Sequence, residues 1–174
     1  MEQAVLKVVA RLLSVGLLAL AVQRVVFASW TIFDVKVQFV LALVAAAGAA
    51  AGADKGAVAG FALGLLFDLT GNTPAGLMAL AYGLGGMTAG YVQTINPEPT
   101  WWMASMSAAV GAAVGESAIP VIDVVAGQSG WVRENLLRVV PVVALSTALL
   151  CTPLLPVGRW MVGAKRRKWR VIPE

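Results

Sequence analysis

Apolar residues in this chain come in long blocks separated by short polar breaks. The blocks cover roughly 8–29, 37–53, 56–69, 74–92, 101–125 and 136–157. About 20 apolar residues are enough for one helix to cross the hydrocarbon core of a bilayer. The pattern therefore predicts an all-α polytopic membrane protein, a compact bundle of about six transmembrane helices. Residues 158–174 form a basic tail, and no stretch is left for a water-soluble domain. Composition strengthens this reading: 13% of the 174 residues are charged and 59% hydrophobic, whereas soluble domains carry about 25% charged residues.

The blocks differ in character. Lys7 and Arg11 lie at the start of the first one and Arg24 near its far end, all within reach of an interface by snorkelling. Val26 to Ala28 resembles a weak signal cleavage site, but the apolar run is longer than a typical signal core, so it reads as a retained anchor. A polar connection, Thr31 to Lys36, leads to a second block rich in Ala and Gly, expected to pack against other helices rather than lipid. Asp54 and Lys55 mark the next break. The third block is short and is expected to begin slightly before residue 56. Asn96-Pro97-Glu98-Pro99 is a stop, after which Trp101 and Trp102 open the fifth block.

Charge sets the orientation. Lys7, Arg11, Lys55, Arg159, Lys165, Arg166, Arg167, Lys168 and Arg170 fall on one side of a six-span arrangement, nine of the thirteen basic residues. The positive-inside rule then predicts both termini in the cytoplasm (N-in, C-in). Trp30 and Trp131 would lie at the outer interface and Trp101, Trp102 and Trp160 at the inner one. Lys165, Arg166, Arg167, Lys168 and Arg170 would hold the tail on anionic lipid, at about 1 kcal/mol each.

The third and fourth blocks read as a hairpin. Gly48, Gly52, Gly56, Gly60 and Gly64 recur every fourth residue, and Asp68 takes the next beat. Residues at that spacing share a helix face, and strips of small residues let helix backbones approach closely in lipid. Gly71 and Asn72 supply a turn, Thr73 is placed to cap the next helix, and Pro74 suits its first position. Gly76 to Gly90 then runs apolar again, with Gly86 and Gly90 as a second small-residue pair. Gly111 and Gly115 form a third in the fifth block, suited to packing within the bundle or against a partner.

Ionisable residues inside membrane spans usually serve function or meet a buried partner. With the orientation above, Asp68, Asp123 and Arg138 lie toward the outer half. Arg138 either pairs with Asp123 or Asp68, or these side chains line an outward-facing cavity or docking surface; Asp68 alone could also sit in headgroup water. Glu116 lies two turns, about 10 Å, deeper than Asp123. It is the candidate for a buried functional carboxylate, though no chain of polar residues continues through the inner half as proton pumping needs. The chain has no His and one cysteine, Cys151. Its hydroxyls are scattered with no base to activate them, so neither a metal site nor catalysis is expected, and no cofactor.

Gly60-Phe61-Ala62-Leu63-Gly64-Leu65-Leu66-Phe67-Asp68-Leu69, then Ala75-Gly76-Leu77-Met78-Ala79-Leu80, then Gly86 to Tyr91 resemble the signature region of the rod shape-determining protein MreD family. Phe33-Asp34-Val35 before an apolar span also fits its layout. The specific match covers about a fifth of the chain, and the family's Gly-Tyr-Leu-x-Gly pattern is departed from, because Tyr91 follows Gly90. The resemblance implies a non-catalytic scaffold in the cell-wall elongation machinery, placed as a multi-pass protein in the bacterial cytoplasmic (inner) membrane. It would work beside the single-span protein MreC and, directly or through it, with RodA, its transpeptidase and the actin-like MreB filament. Gly60, Gly64 and Asp68, with the turn Gly71, Asn72, Pro74 and Gly76, would be the partner-binding or structural residues. On that basis Gly64→Leu should weaken partner binding without preventing insertion. A different class with the same size and span number is the substrate-binding S subunit of an energy-coupling-factor vitamin transporter, in which the outer-half acids would line a ligand pocket.

Overall fold

The computed structural model describes residues 2–27, 31–32, 35–71, 74–97, 99–125, 127 and 136–164. These are almost entirely helical: α1 Glu2–Val25, α2 Phe39–Ala51, α3 Ala53–Thr70, α4 Leu77–Gly90, the short α5 Val92–Ile95, α6 Trp101–Val125 and α7 Leu136–Met161. Within the polar connection after α1, Thr31–Ile32 (β1) and Val35–Lys36 (β2) pair as an antiparallel ladder. The stretches Leu6–Val25, Trp101–Val125 and Leu136–Met161 are long and apolar enough to cross a membrane. The chain thus has the helices of a membrane protein.

The bundle is built around α2. Every residue from Val40 to Ala50 is buried, with α3, α4, α6 and α7 packed about it and α1 lying across the remaining side against α2, α3 and α7. Its 13 residues rise only about 20 Å, less than the roughly 30 Å of a hydrocarbon core. Neighbouring helices shield it, so its polar ends must be satisfied from inside. At its start the Val40 N–H donates to Gln23 Oε1 of α1 at 2.8 Å. At its finish Gln93 Nε2 donates to the Ala49 carbonyl at 3.1 Å. Each side chain takes one of the backbone groups that every helix end leaves unpaired.

The joint between α2 and α3 is Gly52 alone, not the expected break at Asp54-Lys55. Gly52 has φ +96°, a conformation L side chains avoid. Its N–H donates back to the Gly48 carbonyl while its own carbonyl accepts from Gly56, so one residue closes α2 and opens α3. Asp54 and Lys55 fall in the first turn of α3, where an acid suits the positive end of the helix dipole.

Small residues let the three central helices meet backbone to backbone. A Cβ placed on Gly48 or Gly56 would run into the Gly86 carbonyl, and one on Gly86 into the Gly56 carbonyl. Gly90 presses on Ala53 in the same way, and Gly158 of α7 on Ala46 and Ala47 of α2. Gly111 of α6 meets the carbonyl of Gly85.

Other boundaries move for local reasons. α1 begins at Glu2, which places Lys7 and Arg11 within the helix. α4 begins only at Leu77, because Gly76 is left-handed (φ +97°) and Pro74 lies in the turn before it, its carbonyl accepting the Leu77 N–H at 3.2 Å. Pro74 is therefore not the first helical residue. α7 runs on to Met161 through Pro153 and Pro156.

Replacing Gly86 by Val should abolish this three-helix contact. The expected result is loss of the monodisperse folded protein in detergent, whereas Gly83→Ala, whose added Cβ would meet its nearest neighbour at 3.6 Å, should leave the melting temperature within a few degrees of wild type. Size-exclusion profiles and thermal melts of the two variants check this.

Candidate functional site

The residues singled out in the hairpin converge on one structural task. Gly60 and Gly64 lie buried on the face of α3 that meets α4, where a Cβ would collide with the carbonyls of Tyr82 and Met78. This brings the end of α3 beside the start of α4. Asp68 is 4% exposed, and its carboxylate spans the turn. Oδ2 accepts from the backbone N–H of Gly76 at 2.9 Å, of Met78 at 3.1 Å and of Ala79 at 3.3 Å; Oδ1 also accepts from Met78 at 3.3 Å. A carboxylate on the orphan amides of a helix start gains from both charge-assisted hydrogen bonding and the helix dipole. Asp68 thus caps α4 from the preceding helix, the job expected of Thr73, which lies outside the described residues. Left-handed Gly76 turns its own N–H toward the same carboxylate. Gly71 ends α3 by donating to the Asp68 carbonyl at 3.2 Å; Asn72 lies outside the described residues.

This geometry changes the reading of the glycine strip. The face of α3 proposed for a partner helix is covered by α4. Leu at position 64 would break the hairpin itself, so weakened partner binding by that variant would report lost packing rather than a lost contact.

A second polar group sits where α2 begins. Glu116 of α6 is 2% exposed, and its Oε2 accepts a hydrogen bond from Gln38 Nε2 at 2.6 Å. Gln38 Oε1 in turn accepts from the Tyr82 hydroxyl of α4 at 3.3 Å. The Tyr82 ring lies edge-on to Phe67, with centroids 5.9 Å apart. The chain of contacts ties α6, the start of α2 and α4 together, with Gln23 of α1 on the next residues of α2. Pro120, four residues after Glu116, has no N–H to give the Glu116 carbonyl, so the helix ladder is interrupted at the same level. The cluster can fix helix register and hold a buried carboxyl group among hydrogen-bond donors.

Glu116 is buried, as its depth along the helix suggested, but Gln38, Tyr82 and the neighbouring Gln23 were not foreseen as its surroundings. Their only sequence signal is position: a glutamine at the edge of one apolar run, and a glutamine and a tyrosine inside two others. Asp123 is half-buried on α6 and Arg138 exposed on α7. Among the described residues no ion pair joins Arg138 to Asp123 or Asp68. Lys165, Arg166, Arg167, Lys168 and Arg170 lie outside the described residues.

No family model, no characterised protein and no solved structure matches this chain.

Asp68→Ala removes an acceptor shared by several amides, and each hydrogen bond to a charged group is worth roughly 1.5–3 kcal/mol. The expected fall in melting temperature is about 5–10 °C, with Asp68→Asn in between. Glu116→Gln keeps an acceptor for Gln38 and should stay close to wild type, while Glu116→Leu orphans the Gln38 amide and should cost about 1–3 kcal/mol. Thermal melts of the detergent-purified variants test both orders.

Proposed function

We propose that this chain is a non-catalytic, six-span scaffold of the bacterial cell-wall elongation machinery, with both termini in the cytoplasm. It would bind MreC and help position RodA and its transpeptidase relative to the MreB filament. In this reading α1, α2, α3, α4 with α5, α6 and α7 are the crossings. The short α2 needs no lipid contact because its neighbours bury it. With this orientation Lys7, Arg11, Lys55 and Arg159 would fall toward the cytoplasmic side, as the positive-inside rule asks.

The observation that carries the proposal is that Gly60, Gly64, Asp68 and Gly76, the residues that bear the resemblance, act as a set. They build one close-packed, capped hairpin. A shared motif that encodes a fold element, with no reactive group in it, suits a scaffold. Partner contacts then belong on the outward flank of the hairpin, where Val58, Phe61 and Leu69 of α3 and Leu80 and Leu84 of α4 are exposed.

The buried Gln38–Tyr82–Glu116 cluster favours a second reading, the vitamin-binding subunit of an energy-coupling-factor transporter, since polar side chains gathered at one end of a bundle suit a small polar ligand.

One experiment separates the two: affinity capture of the tagged full-length protein from native membranes in mild detergent. Recovery of MreC and RodA supports the scaffold. Recovery of paired ATPases with a shared coupling subunit contradicts it, and melting-temperature shifts with individual vitamins would then identify the cargo.

A further inference from the structure

We propose that the end of the bundle where α1 begins and α7 finishes holds the phosphate of an anionic phospholipid headgroup. Arg11 is half-buried, and its guanidinium carbon lies 4.9 Å from the centroid of the Trp160 ring. A guanidinium held over an aromatic ring by cation–π attraction keeps N–H donors for other acceptors, and their spacing matches two oxygens of a phosphate. Lys7 stands one turn earlier on the same face of α1 and is exposed. Arg159 directly precedes Trp160 on α7 and is half-buried.

The two helices are held together here. The chain turns at Gly163 (φ +64°) just beyond α7, and a Cβ on that glycine would lie 3.2 Å from Val8 Cγ2 of α1. Arg11 and Lys7 thus lie at one seam, with Arg11 held against the Trp160 ring and Arg159 adding a further cation at the same end of α7. Among the described residues no carboxylate forms an ion pair with Lys7, Arg11 or Arg159, which leaves them available to an anion from outside the bundle. A lipid phosphate fits best because Trp160 is 53% exposed at the end of an apolar helix, the position in which an amphipathic indole meets the headgroup layer. The site rests on these helix ends lying at the membrane surface and is independent of the scaffold role.

The test uses the purified full-length protein in mild detergent, titrated with phosphatidylglycerol, phosphatidylcholine or inorganic phosphate and read by native mass spectrometry and thermal melts. The variants are Arg11→Gln, Arg11→Lys, Trp160→Leu, and a tail variant with Lys165, Arg166, Arg167, Lys168 and Arg170 all changed to Gln. The wild type should bind and be stabilised by phosphatidylglycerol in preference to phosphatidylcholine. Arg11→Gln should weaken phosphatidylglycerol binding about fivefold, the share of one basic contact at an anionic surface. Arg11→Lys and Trp160→Leu, which keep a charge but lose the stacked fork, should show smaller losses and report on the site even if Arg11→Gln folds poorly. The tail variant should keep the Arg11-dependent part. Equal binding of the two lipids, unchanged binding in all three seam variants, or loss of all selectivity with the tail would overturn the proposal. Stabilisation by inorganic phosphate equal to that by phosphatidylglycerol would overturn the lipid assignment.

Discussion

The close approach of α3 to α4 is the contact on which the rest of this bundle depends. In lipid the hydrophobic effect does not draw helices together, since acyl chains are as apolar as leucine, and association falls to van der Waals packing and internal hydrogen bonds. Gly56, Gly60 and Gly64 remove the side chains that would hold the two backbones apart. Only at that separation can Asp68, at the end of one helix, reach the amides that open the next. Once the hairpin is closed, Gly86 and Gly90 present a flat surface to α2 and α3, and the short α2 is enclosed.

The same constraint explains the placement of polar side chains. If α2 is one of the crossings, as proposed, its length would leave its end groups within the apolar layer, where an unmet N–H or C=O is expensive. Gln23 and Gln93 answer that need at opposite ends of α2. Gln38, at the first of those ends, faces sideways to Glu116 and Tyr82 instead of capping its own helix. Buried polar groups here serve mainly to complete backbone hydrogen bonding and to fix register, with the Glu116 cluster the one place where they gather beyond that need.

Much of the hairpin was legible in the sequence because its rule is periodic: glycines at every fourth position, then an aspartate on the same face, can be counted without knowing the fold. The cap that Asp68 supplies to α4 from across the turn was not foreseen, because sequence proximity pointed to Thr73 within the turn itself, and Pro74, expected as the first helical residue, lies ahead of the helix start at Leu77. The break before α3 was placed at Asp54-Lys55 by charge, whereas backbone conformation set it at Gly52. The glycine strip was offered to packing or to a partner alike, because sequence shows that a face is smooth but not what lies on it. Gln23, Gln38 and Tyr82 went unnoticed for a related reason: a single polar residue near a helix end reads alike whether it meets water or a buried neighbour.

The scaffold account requires that the exposed flank of the hairpin, not its glycine face, meets partner proteins. Site-specific photocrosslinking in native membranes tests this most directly, with the probe at Phe61 on the outward flank and at Leu63, buried inside the bundle. The account predicts protein adducts from position 61 that contain MreC or another elongation protein, and only internal products from position 63. Adducts to transporter subunits, or elongation-protein adducts from position 63 with none from 61, would contradict it.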